Sequence, residues 1–420
     1  MPAHAPAAAP LQVADAVGRI LAEVRPLGAV RRPLLDAYNS VLAADAIAPV
    51  TLPPWDNSAM DGYAVRAADV GRVPVSLRVI ESVAAGRFPS RAVGAGEATV
   101  IMTGAPMPQG ADTVIRVEDT DGGRTTVEIR DARDARKNVR PRGEDIVEGR
   151  VAIAAGTPLG AAQIGVLASL GFAEVDVVRS PRIAILTSGD ELVELDRFSE
   201  VRAGRKIVSS NGYTLRTLVR AAGGDPVYLG IAQDTPESLR ALLERARECD
   251  AIITSAGISV GEHDYLRQVL GAMGADMKFW RVRMRPGAPI GFGLLDGKPW
   301  IGLPGNPVST MVTFELFARP AIQKMRGQRK LFRRPVPVVL DEPVTIAADL
   351  THFLRAVVTV RDGRSRARLT GPQSSGILTS MSNANALLIV PPERRAIAAG
   401  EVLNAILIGD DAELASDFAL

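Results

Sequence analysis

The chain has 420 residues, enough for more than one domain, and the composition of an ordinary globular protein. Hydrophobic residues make up 47% and charged residues 23% of it, which excludes a largely disordered chain. The formal net charge is +2 and the charged residues are dispersed, so we expect no nucleic acid and no membrane surface as a partner. A single cysteine and three histidines exclude an intrachain disulfide and a thiolate zinc site, so we expect any metal on oxygen ligands.

The sequence has no sign of a membrane span or a secretory signal. No stretch approaches the roughly 18 consecutive apolar residues of a transmembrane helix. The opening segment MPAHAPAAAP has neither a basic start nor a long apolar run and is typical of a disordered tail. These patterns predict a cytoplasmic protein.

The first half of the chain divides into two kinds of pattern. Apolar residues recur at helical spacing between Leu11 and Val24, and a second stripe between Pro33 and Leu42 predicts another short helix. We expect both helices to pack on a partner chain. From residue 48 to residue 147, β-type runs such as VPVSLRVIESV and ATVIMTG lie between Gly, Pro and Asp clusters, which predicts a small β-rich domain.

Strands and helices alternate between residues 179 and 330. Short apolar runs such as RIAILTS (182–188) and AIITSAG (251–257) are each followed by a helical pattern. This alternation predicts a parallel sheet with helices on both faces, which binds ligands at the carboxyl ends of its strands. From residue 335 to residue 408 the pattern returns to strands, which predicts a small β-barrel or sandwich.

Three strand ends of the alternating region carry loops of small and acidic residues: TSGDEL (187–192), TSAGISVGEHDY (254–265) and GLPGNPVS (302–309). Small residues let backbone N–H groups approach an anion such as phosphate, and carboxylates beside it would hold Mg²⁺. Taken singly, each loop is also typical of a purely structural turn. Together, at one edge of one sheet, they indicate a ligand that carries phosphate.

The β-rich region has three polar motifs: PPWDNSAMDGYAVR (53–66), MTGAPMPQGAD (102–112) and VRPRGEDI (139–146). Asp and Asn beside Gly or Pro are common in loops without any further role. The residues alone therefore predict an enzyme or a binding protein for a phosphate-bearing ligand, using Mg²⁺, and leave the substrate open.

These motifs, with RPGAPIGFG and SSGILTSMSNANALL, closely resemble in their order those of the molybdopterin molybdotransferases. These bacterial enzymes, related to eukaryotic gephyrin-type proteins, insert molybdenum into the pterin cofactor. The resemblance extends from Leu11 to Ile408. Ordered agreement of many separate motifs is far more specific than any one of them.

The resemblance implies an α/β multidomain fold of four parts and a homodimer. The parts are a helical dimerisation segment (11–47 and 148–178), an inserted β-rich domain (48–147), a central αβα doubly wound pterin-binding domain (179–330) and a C-terminal β-barrel (335–408). In the family the active cleft lies between the central domain and the barrel of one subunit and the β-rich domain of the other. Polar motifs far apart in sequence would then serve one site.

The implied substrates are molybdate and adenylylated molybdopterin, with Mg²⁺ as cofactor. The enzyme would hydrolyse the phosphoanhydride, release AMP and leave molybdenum on the dithiolene sulfurs. Transient contact with the molybdopterin adenylyltransferase and with recipient molybdoenzymes is also implied.

The resemblance assigns roles to individual residues. It implies six catalytic residues: Asp56, Thr103, Arg140, Asp145, Glu191 and Asp264. Of these, Glu191 and Asp264 are also the expected metal ligands. The expected substrate-binding residues are Ser188, Gly189, Asp190, Ser255, Gly257, Ser259, Gly261, Glu262, Arg281, Arg285, Pro304, Gly305, Asn306, Ser309, Arg355 and Ser375. We expect molybdate, a small dianion, on four of them: Arg285, Arg355, Ser309 and Ser375.

Five positions depart from the family pattern. Ser209 stands where relatives commonly have an acid, and Ala256 replaces the first Gly of a Gly-Gly pair. Arg281, Arg285 and Ala288 stand where a Lys…Lys-Pro-Gly-Lys-Pro sequence is frequent. These departures leave a second hypothesis open, a non-catalytic molybdopterin carrier. A third, the adenylyl transfer step itself, is disfavoured by the extra N- and C-terminal domains.

Overall fold

The computed structural model describes residues 9–257, 265–346 and 349–409. Residues 9–178 contain two helices among many short strands. In chain order these elements are α1 (Val13–Glu23), β1 (Ala29–Pro33), β2 (Val41–Leu42), β3 (Ala46–Ile47), β4 (Asn57–Ser58), β5 (Gly62–Val65), β6 (Val75–Val83), β7 (Glu97–Ile101), β8 (Thr113–Arg116), β9 (Thr126–Ile129), β10 (Val139–Arg140), β11 (Val151–Ile153), α2 (Ala161–Ser169) and β12 (Glu174–Val178).

The predicted first helix is present, but its apolar face is covered by its own chain. Ala16 and Ile20 of α1 are buried in the same hydrophobic core as Ile322 and Met325 near the end of the central region. The face of α1 that carries Ala16 and Ile20 therefore packs within its own chain.

The helix predicted between Pro33 and Leu42 is also wrong. A single 3-10 turn, Leu35–Ala37, separates β1 from β2, and both strands pair antiparallel with β12. Val41 and Leu42 are buried as adjacent residues of a strand. An apolar spacing over ten residues fits a helix and a strand–turn–strand unit equally well, and the pairing with β12, more than 130 residues later in sequence, decides between them.

The inserted region folds around a five-stranded sheet in the order β8-β5-β7-β6-β9. Its core contains Tyr63, Leu77, Ile115 and Ile129, all at most 3% exposed. Beside this sheet, β4 and β10 form a short antiparallel pair that places Arg140 opposite Asn57. The predicted β-rich character of the insertion is present.

The central region alternates strands and helices as predicted. Its elements are β13 (Arg182–Ser188), β14 (Leu192–Val193), α3 (Phe198–Arg202), β15 (Ile207–Val208), α4 (Ser210–Ala221), β16 (Asp225–Ala232), α5 (Pro236–Ala246), β17 (Ala251–Ser255), α6 (Tyr265–Ala272), β18 (Asp276–Arg281), β19 (Met284–Arg285), β20 (Pro289–Leu295), β21 (Lys298–Leu303), α7 (Pro307–Thr313) and α8 (Arg319–Met325). A π-helical segment, Phe314–Ala318, joins α7 to α8.

The main sheet of this region has the order β16-β13-β17-β21-β20-β18. The first four strands are parallel, but β20 runs antiparallel to both of its neighbours, so the expected all-parallel sheet is in fact mixed. Two hydrophobic cores, one containing Ile185 and Ile253 and the other Leu186 and Ile252, show that both faces of the sheet are covered. The carboxyl ends of β13, β17 and β21 lie at one edge, where the three loops begin.

The C-terminal region is a closed β-barrel with one short helix. Its elements are β22 (Pro335–Leu340), β23 (Val344–Thr345), β24 (Thr351–Arg361), β25 (Arg364–Leu369), α9 (Thr379–Ser382), β26 (Ala386–Val390), β27 (Ala396–Ile397) and β28 (Val402–Leu407). The strand order β24-β25-β22-β28-β26 closes through pairing of β26 with β24. β19, from the central region, adds to the side of β24 and thereby fixes the barrel next to the central sheet.

In the part of the chain that the structure describes, no helix combines the length and the apolar character needed to cross a membrane.

Candidate active-site cleft

A cleft of about 1170 Å³ lies where the carboxyl ends of β13, β17 and β21 face the C-terminal barrel. Eleven of the residues predicted for the site line it: Ser188, Glu191, Ser255, Gly257, Arg285, Pro304, Gly305, Asn306, Ser309, Arg355 and Ser375. The three strand-end loops therefore converge on one cavity, and the barrel supplies its opposite wall.

The first loop places Glu191 in the wall of the cleft. Gly189 has a φ of +147°, a backbone conformation that residues with a Cβ atom rarely adopt, so this turn favours glycine. Among the described residues, none donates a hydrogen bond or forms an ion pair with the Glu191 carboxylate. Glu191 is the only described acid that lines the cleft, and its charge is available to a ligand.

Glu191 lies near the start of a flap formed by residues 190–209. In this flap β14 pairs in parallel with β15. The flap is tied to the central domain through Glu194. Tyr213 of α4 and Tyr228 of β16 donate their hydroxyl hydrogens to the two oxygens of this carboxylate at 3.0 and 2.5 Å. Burial, together with the hydrogen bond to Glu194, raises the pKa of Tyr228 to about 12, so its hydroxyl remains a donor at neutral pH.

Ser209, at the end of the flap, is one of the departures from the family pattern. It is 1% exposed, and its hydroxyl oxygen lies 3.0 Å from that of Thr187, so the two groups share a hydrogen bond. This buried neutral pair occupies the place of the expected acid. Metal binding at this edge of the cleft therefore has to rely on other carboxylates.

The second and third loops are held together by side-chain bonds. The Asn211 amide donates to the Ser255 hydroxyl oxygen at 2.9 Å and to the Gly305 carbonyl at 2.7 Å. The Ser255 hydroxyl donates in turn to the Pro304 carbonyl at 3.1 Å. To donate to a ligand, as predicted, the Ser255 hydroxyl would have to give up its hydrogen bond to the Pro304 carbonyl.

Arg355, on β24, is a fully buried cation in the wall of the cleft. Its Nε donates to the Ser380 hydroxyl and its Nη2 to the Ser374 carbonyl, each at 3.0 Å. Its Nη1 is buried without a hydrogen-bond partner, and no described carboxylate forms an ion pair with it. Burial lowers the pKa of Arg355, yet a guanidinium remains charged near neutral pH. Within the described part of the chain, the charge of Arg355 therefore has no carboxylate partner.

A second cation, Arg285, lines the same cleft from β19, beside His352 of the neighbouring β24. His352 is 4% exposed, and its Nδ1 lies 2.8 Å from the Leu350 carbonyl. Because the carbonyl accepts, Nδ1 carries the hydrogen. Burial lowers the pKa of His352, and the charge of Arg285 lowers it further. Its ring is therefore neutral at pH 7, with Nε2 as an acceptor.

Hydrogen bonds to Ser375 connect the central domain to the barrel at the cleft. The Asn306 amide donates to the Ser375 hydroxyl at 2.9 Å, and the Val308 N–H donates to the Ser375 carbonyl at 3.3 Å. Both Asn306 and Ser375 line the cleft. The two walls are thus connected at the position where a ligand would touch both.

The four catalytic residues predicted in the inserted domain do not line this cleft within the single chain that the structure describes. All four are exposed: Asp56, Thr103, Arg140 and Asp145. Two of them, Asp56 and Thr103, form hydrogen bonds with other residues of the inserted domain. Asp56 accepts a hydrogen bond from the Arg142 N–H at 2.6 Å, and Thr103 donates through N–H and hydroxyl to Asp61 at 2.7 and 2.8 Å.

Asp61, in the same motif as Asp56, was not among the predicted site residues. The backbone and side-chain hydrogen bonds from Thr103 lower the pKa of Asp61. The carboxylate that positions Thr103 is thus Asp61. Each aspartate follows a large apolar residue and precedes a small or polar one in the motif, and only the fold distinguishes them.

Other predicted residues lie beside the cleft or outside the described chain. Gly189 and Asp190 precede Glu191 without lining the cavity, and Asp190 exchanges hydrogen bonds with Asp234 at 3.1 and 3.3 Å. Arg281 is exposed at the end of β18, away from the cavity. Four predicted residues lie outside the described residues: Ser259, Gly261, Glu262 and Asp264.

Family models cover most of the chain. The MoeA N-terminal region (domain I and II) matches residues 11–171, a probable molybdopterin binding domain matches residues 184–324, and the MoeA C-terminal region (domain IV) matches residues 337–408. A molybdopterin molybdenumtransferase of Staphylococcus aureus (strain MSSA476) is 33% identical over 408 residues, 96% of this chain and 97% of the relative. The chain belongs to the MoeA family.

Further MoeA relatives agree with this assignment. The molybdopterin molybdenumtransferase 2 of Mycobacterium tuberculosis (strain ATCC 25618 / H37Rv) is 37% identical over 396 residues, which cover 92% of this chain and 96% of the relative. The crystal structure of the molybdopterin biosynthesis MoeA protein from Pyrococcus horikoshii OT3 superposes with a TM-score of 0.83 at 27% identity and covers 95% of this chain and 100% of that one. The predicted family, fold class and enzyme class in molybdenum cofactor biosynthesis are confirmed.

Proposed function

We propose that this MoeA protein is an active molybdenum insertase, which transfers molybdenum from molybdate to adenylylated molybdopterin with release of AMP. The observation that supports this most is the uncompensated charge of Arg355 in the wall of the cleft. A buried cation without a carboxylate partner is costly, so its retention favours an anionic ligand that supplies the missing charge.

Molybdate fits this position. Arg355 and Arg285 would provide positive charge, and the hydroxyls of Ser309 and Ser375 would donate to its oxygens. Ser309 is 4% exposed at the start of α7. Arg keeps the charge of the more usual lysine at position 285 and presents a planar set of donors.

The phosphoanhydride of the second substrate would lie along the strand-end loops. Ser188, Gly257 and Gly305 line the cleft and let backbone N–H groups approach phosphate oxygens. In hydrolysis, a water oxygen bonds to phosphorus and the bond from phosphorus to the bridging oxygen breaks, which frees AMP. The dithiolene sulfurs of the pterin then form two Mo–S bonds as Mo–O bonds of molybdate break, and the displaced oxygen leaves as water with protons from the dithiol and solvent.

The oxygen chemistry of the cleft suits Mg²⁺, which needs one or two carboxylates and is completed by water and phosphate. Glu191 would be one such ligand and Asp264 the other. Within the described residues, no group of three His, Cys, Asp or Glu side chains is arranged to hold a metal ion by itself. When bound, the ion would neutralise phosphate charge and polarise the phosphorus.

The inserted domain is proposed to act across a homodimer. Asp56, Thr103, Arg140 and Asp145 would complete the cleft of the partner subunit, since they do not line the cleft of their own described chain. In this arrangement residues 11–47 and 148–178 form the dimerisation segment, and 48–147, 179–330 and 335–408 the other three domains. Passing contact with the adenylyltransferase and with recipient molybdoenzymes belongs to the same proposal.

A turnover assay tests the proposed function. Purified protein with adenylylated molybdopterin, molybdate and Mg²⁺ should release AMP and form molybdenum cofactor. Glu191→Gln should lower AMP release by about 100-fold or more while pterin binding persists, because the variant removes one charge and no described contact. Asp196→Asn, on the same flap and away from the cavity, is the matched control.

Tight pterin binding without AMP release under every divalent-metal condition would contradict the proposal. That result would favour the non-catalytic carrier, which Ser209 and Ala288 leave open. Release of AMP at equal rates by the wild type and by Glu191→Gln would remove Glu191 from the reaction.

A further inference from the structure

Asn211 is a buried polar residue of the cleft to which none of the above assigns a role toward the substrate. It lies in the first turn of α4, is 9% exposed, and lines the cavity between the second and third loops. Both of its neighbours in that network, Ser255 and Gly305, also line the cavity. Its amide has four hydrogen-bonding positions, two donors and two acceptors.

The orientation of this amide is fixed by the chemistry of its partners. The Gly305 carbonyl, 2.7 Å from Asn211 Nδ2, is only an acceptor, so the atom facing it has to be the nitrogen. The Ser255 hydroxyl, at 2.9 Å, gives its single hydrogen to the Pro304 carbonyl and therefore also accepts from Asn211. A flipped amide would place oxygen against oxygen at Gly305 and is excluded.

The same argument fixes what Asn211 has left to offer. Both N–H groups are used, and Oδ1 is buried without a hydrogen-bond donor among the described residues. A buried acceptor without a donor destabilises the protein by the cost of its desolvation. Its position beside the cleft points to a donor that arrives with a ligand.

We propose that Asn211 Oδ1 accepts a hydrogen bond from an N–H group of the nitrogen heterocycle of the substrate. The inference rests on the proposed function, whose substrate contains two such rings, the pterin and the adenine. Phosphate and molybdate are acceptors at neutral pH, so a fixed carbonyl oxygen repels them and does not bind them. Asn211 Oδ1 is thus a neutral acceptor within a cleft whose other proposed contacts bind anions.

Binding measurements with three separate ligands test this assignment. Titration calorimetry compares the wild type and Asn211→Ala for binding of molybdopterin, AMP and molybdate. Asn211→Ala should bind either molybdopterin or AMP with an affinity about fivefold or more below that of the wild type. Molybdate affinity should remain unchanged. Which of the two organic ligands loses affinity tells whether the pterin or the adenine makes the contact.

A matched control separates ligand contact from loop support. Thr310 is fully buried and donates its hydroxyl to the Pro304 carbonyl at 2.6 Å, so Thr310→Val loosens the same loop without altering Oδ1 of Asn211. We expect this variant to leave the ratio of organic-ligand to molybdate affinity at its wild-type value. A changed ratio in Thr310→Val equal to that in Asn211→Ala would overturn the proposal.

A change in the ligand gives the same test in unaltered protein. Purine riboside 5′-monophosphate lacks only the 6-amino group of AMP, and 7-methylpterin supplies the pterin ring without phosphate. If adenine makes the contact, removing its amino group weakens binding to the wild type and not to Asn211→Ala. If the pterin does, 7-methylpterin binds the wild type at least fivefold more tightly than Asn211→Ala.

If the wild type binds both rings and Asn211→Ala binds them equally tightly, this inference is overturned and the proposed function stays intact. An effect of Asn211→Ala that vanishes without Mg²⁺ would assign Oδ1 to the metal and likewise overturn it. Failure of the wild type to bind either ring would overturn both.

Discussion

At the scale of single residues, Ala256 shows how a departure from the family pattern affects the site. It stands at the first position of the usual Gly-Gly pair and has a φ of +77°, in the left-handed region. A residue with a Cβ atom in this conformation costs roughly 1–2 kcal/mol relative to glycine. The neighbouring Gly257, with a φ of +71°, has the residue type that such a turn favours.

Ala256→Gly is therefore expected to stabilise the protein. Relief of the left-handed strain exceeds the extra chain entropy of glycine, which leaves a gain of about 0.5–1 kcal/mol in the free energy of unfolding. Urea denaturation, followed through Trp280 and Trp300 of the central domain, measures it. The control Ala241→Gly, in the middle of α5, should instead lose about 1 kcal/mol. Equal losses in both variants would show that Ala256 carries no strain.

At the scale of elements, the flap that carries Glu191 depends on α4 and β16 for its position. Two tyrosine hydroxyls bind Glu194, and Arg216 lies between their rings, with its guanidinium carbon 4.5 Å from the Tyr213 centroid and 4.6 Å from the Tyr228 centroid. These two cation–π contacts help to hold both tyrosine side chains near Glu194. The flap is thus fixed to the central sheet by side chains, since its two-residue strands β14 and β15 pair only with each other.

Removing both hydroxyls should release the flap without unfolding the domain. In Tyr213→Phe/Tyr228→Phe the rings still pack on Arg216, but Glu194 loses both donors. Amides of residues 190–209 should exchange hydrogen faster than in the wild type, and AMP release should fall about 10-fold because Glu191 is displaced. Thr217→Val, whose hydroxyl bonds only within α4, is the control. Unchanged exchange in the flap would refute its anchoring through Glu194.

Element boundaries and the edge of the sheet were predictable because β13 and β17 are apolar runs that end in small polar residues. The reversal of β20 was not, since a run such as PIGFGLL contains no information on its direction. The role of Asn211 was equally hidden, because its partners follow it by 44 and 94 residues in sequence. The motif that contains Asp56 and Asp61 did not distinguish these two residues, and only the fold shows that Asp61 is the one that accepts from Thr103.

At the scale of the whole molecule, the candidate site is divided between regions that do not meet in one described chain. The cleft combines the central domain with the barrel, and the exposed motifs of the inserted domain lie outside it. In a symmetric dimer each inserted domain would face the cleft of the other subunit, and two equal sites would form. The proposed activity would then belong to the dimer only.

Mixing two inactive variants tests this sharing of sites. Glu191→Gln alters the cleft, and Thr103→Val removes the hydroxyl that donates to Asp61 in the inserted domain. Each homodimer should be inactive, whereas subunits unfolded and refolded together should regain about a quarter of wild-type AMP release, because one site in each mixed dimer is intact. Two Glu191→Gln preparations mixed in the same way are the control. No recovery in mixed dimers would place both residues in one subunit's site.

The hydrogen bond between Asn306 and Ser375 couples the two walls of the cleft to each other. Any rotation of the barrel away from the sheet strains the loop that ends β21 and so pulls apart the donors proposed for an oxyanion. Contact between the two walls and occupancy of the cleft by a ligand are then thermodynamically coupled. A ligand that bridges both walls stiffens the molecule, and a mutation that stiffens the molecule improves its affinity for that ligand.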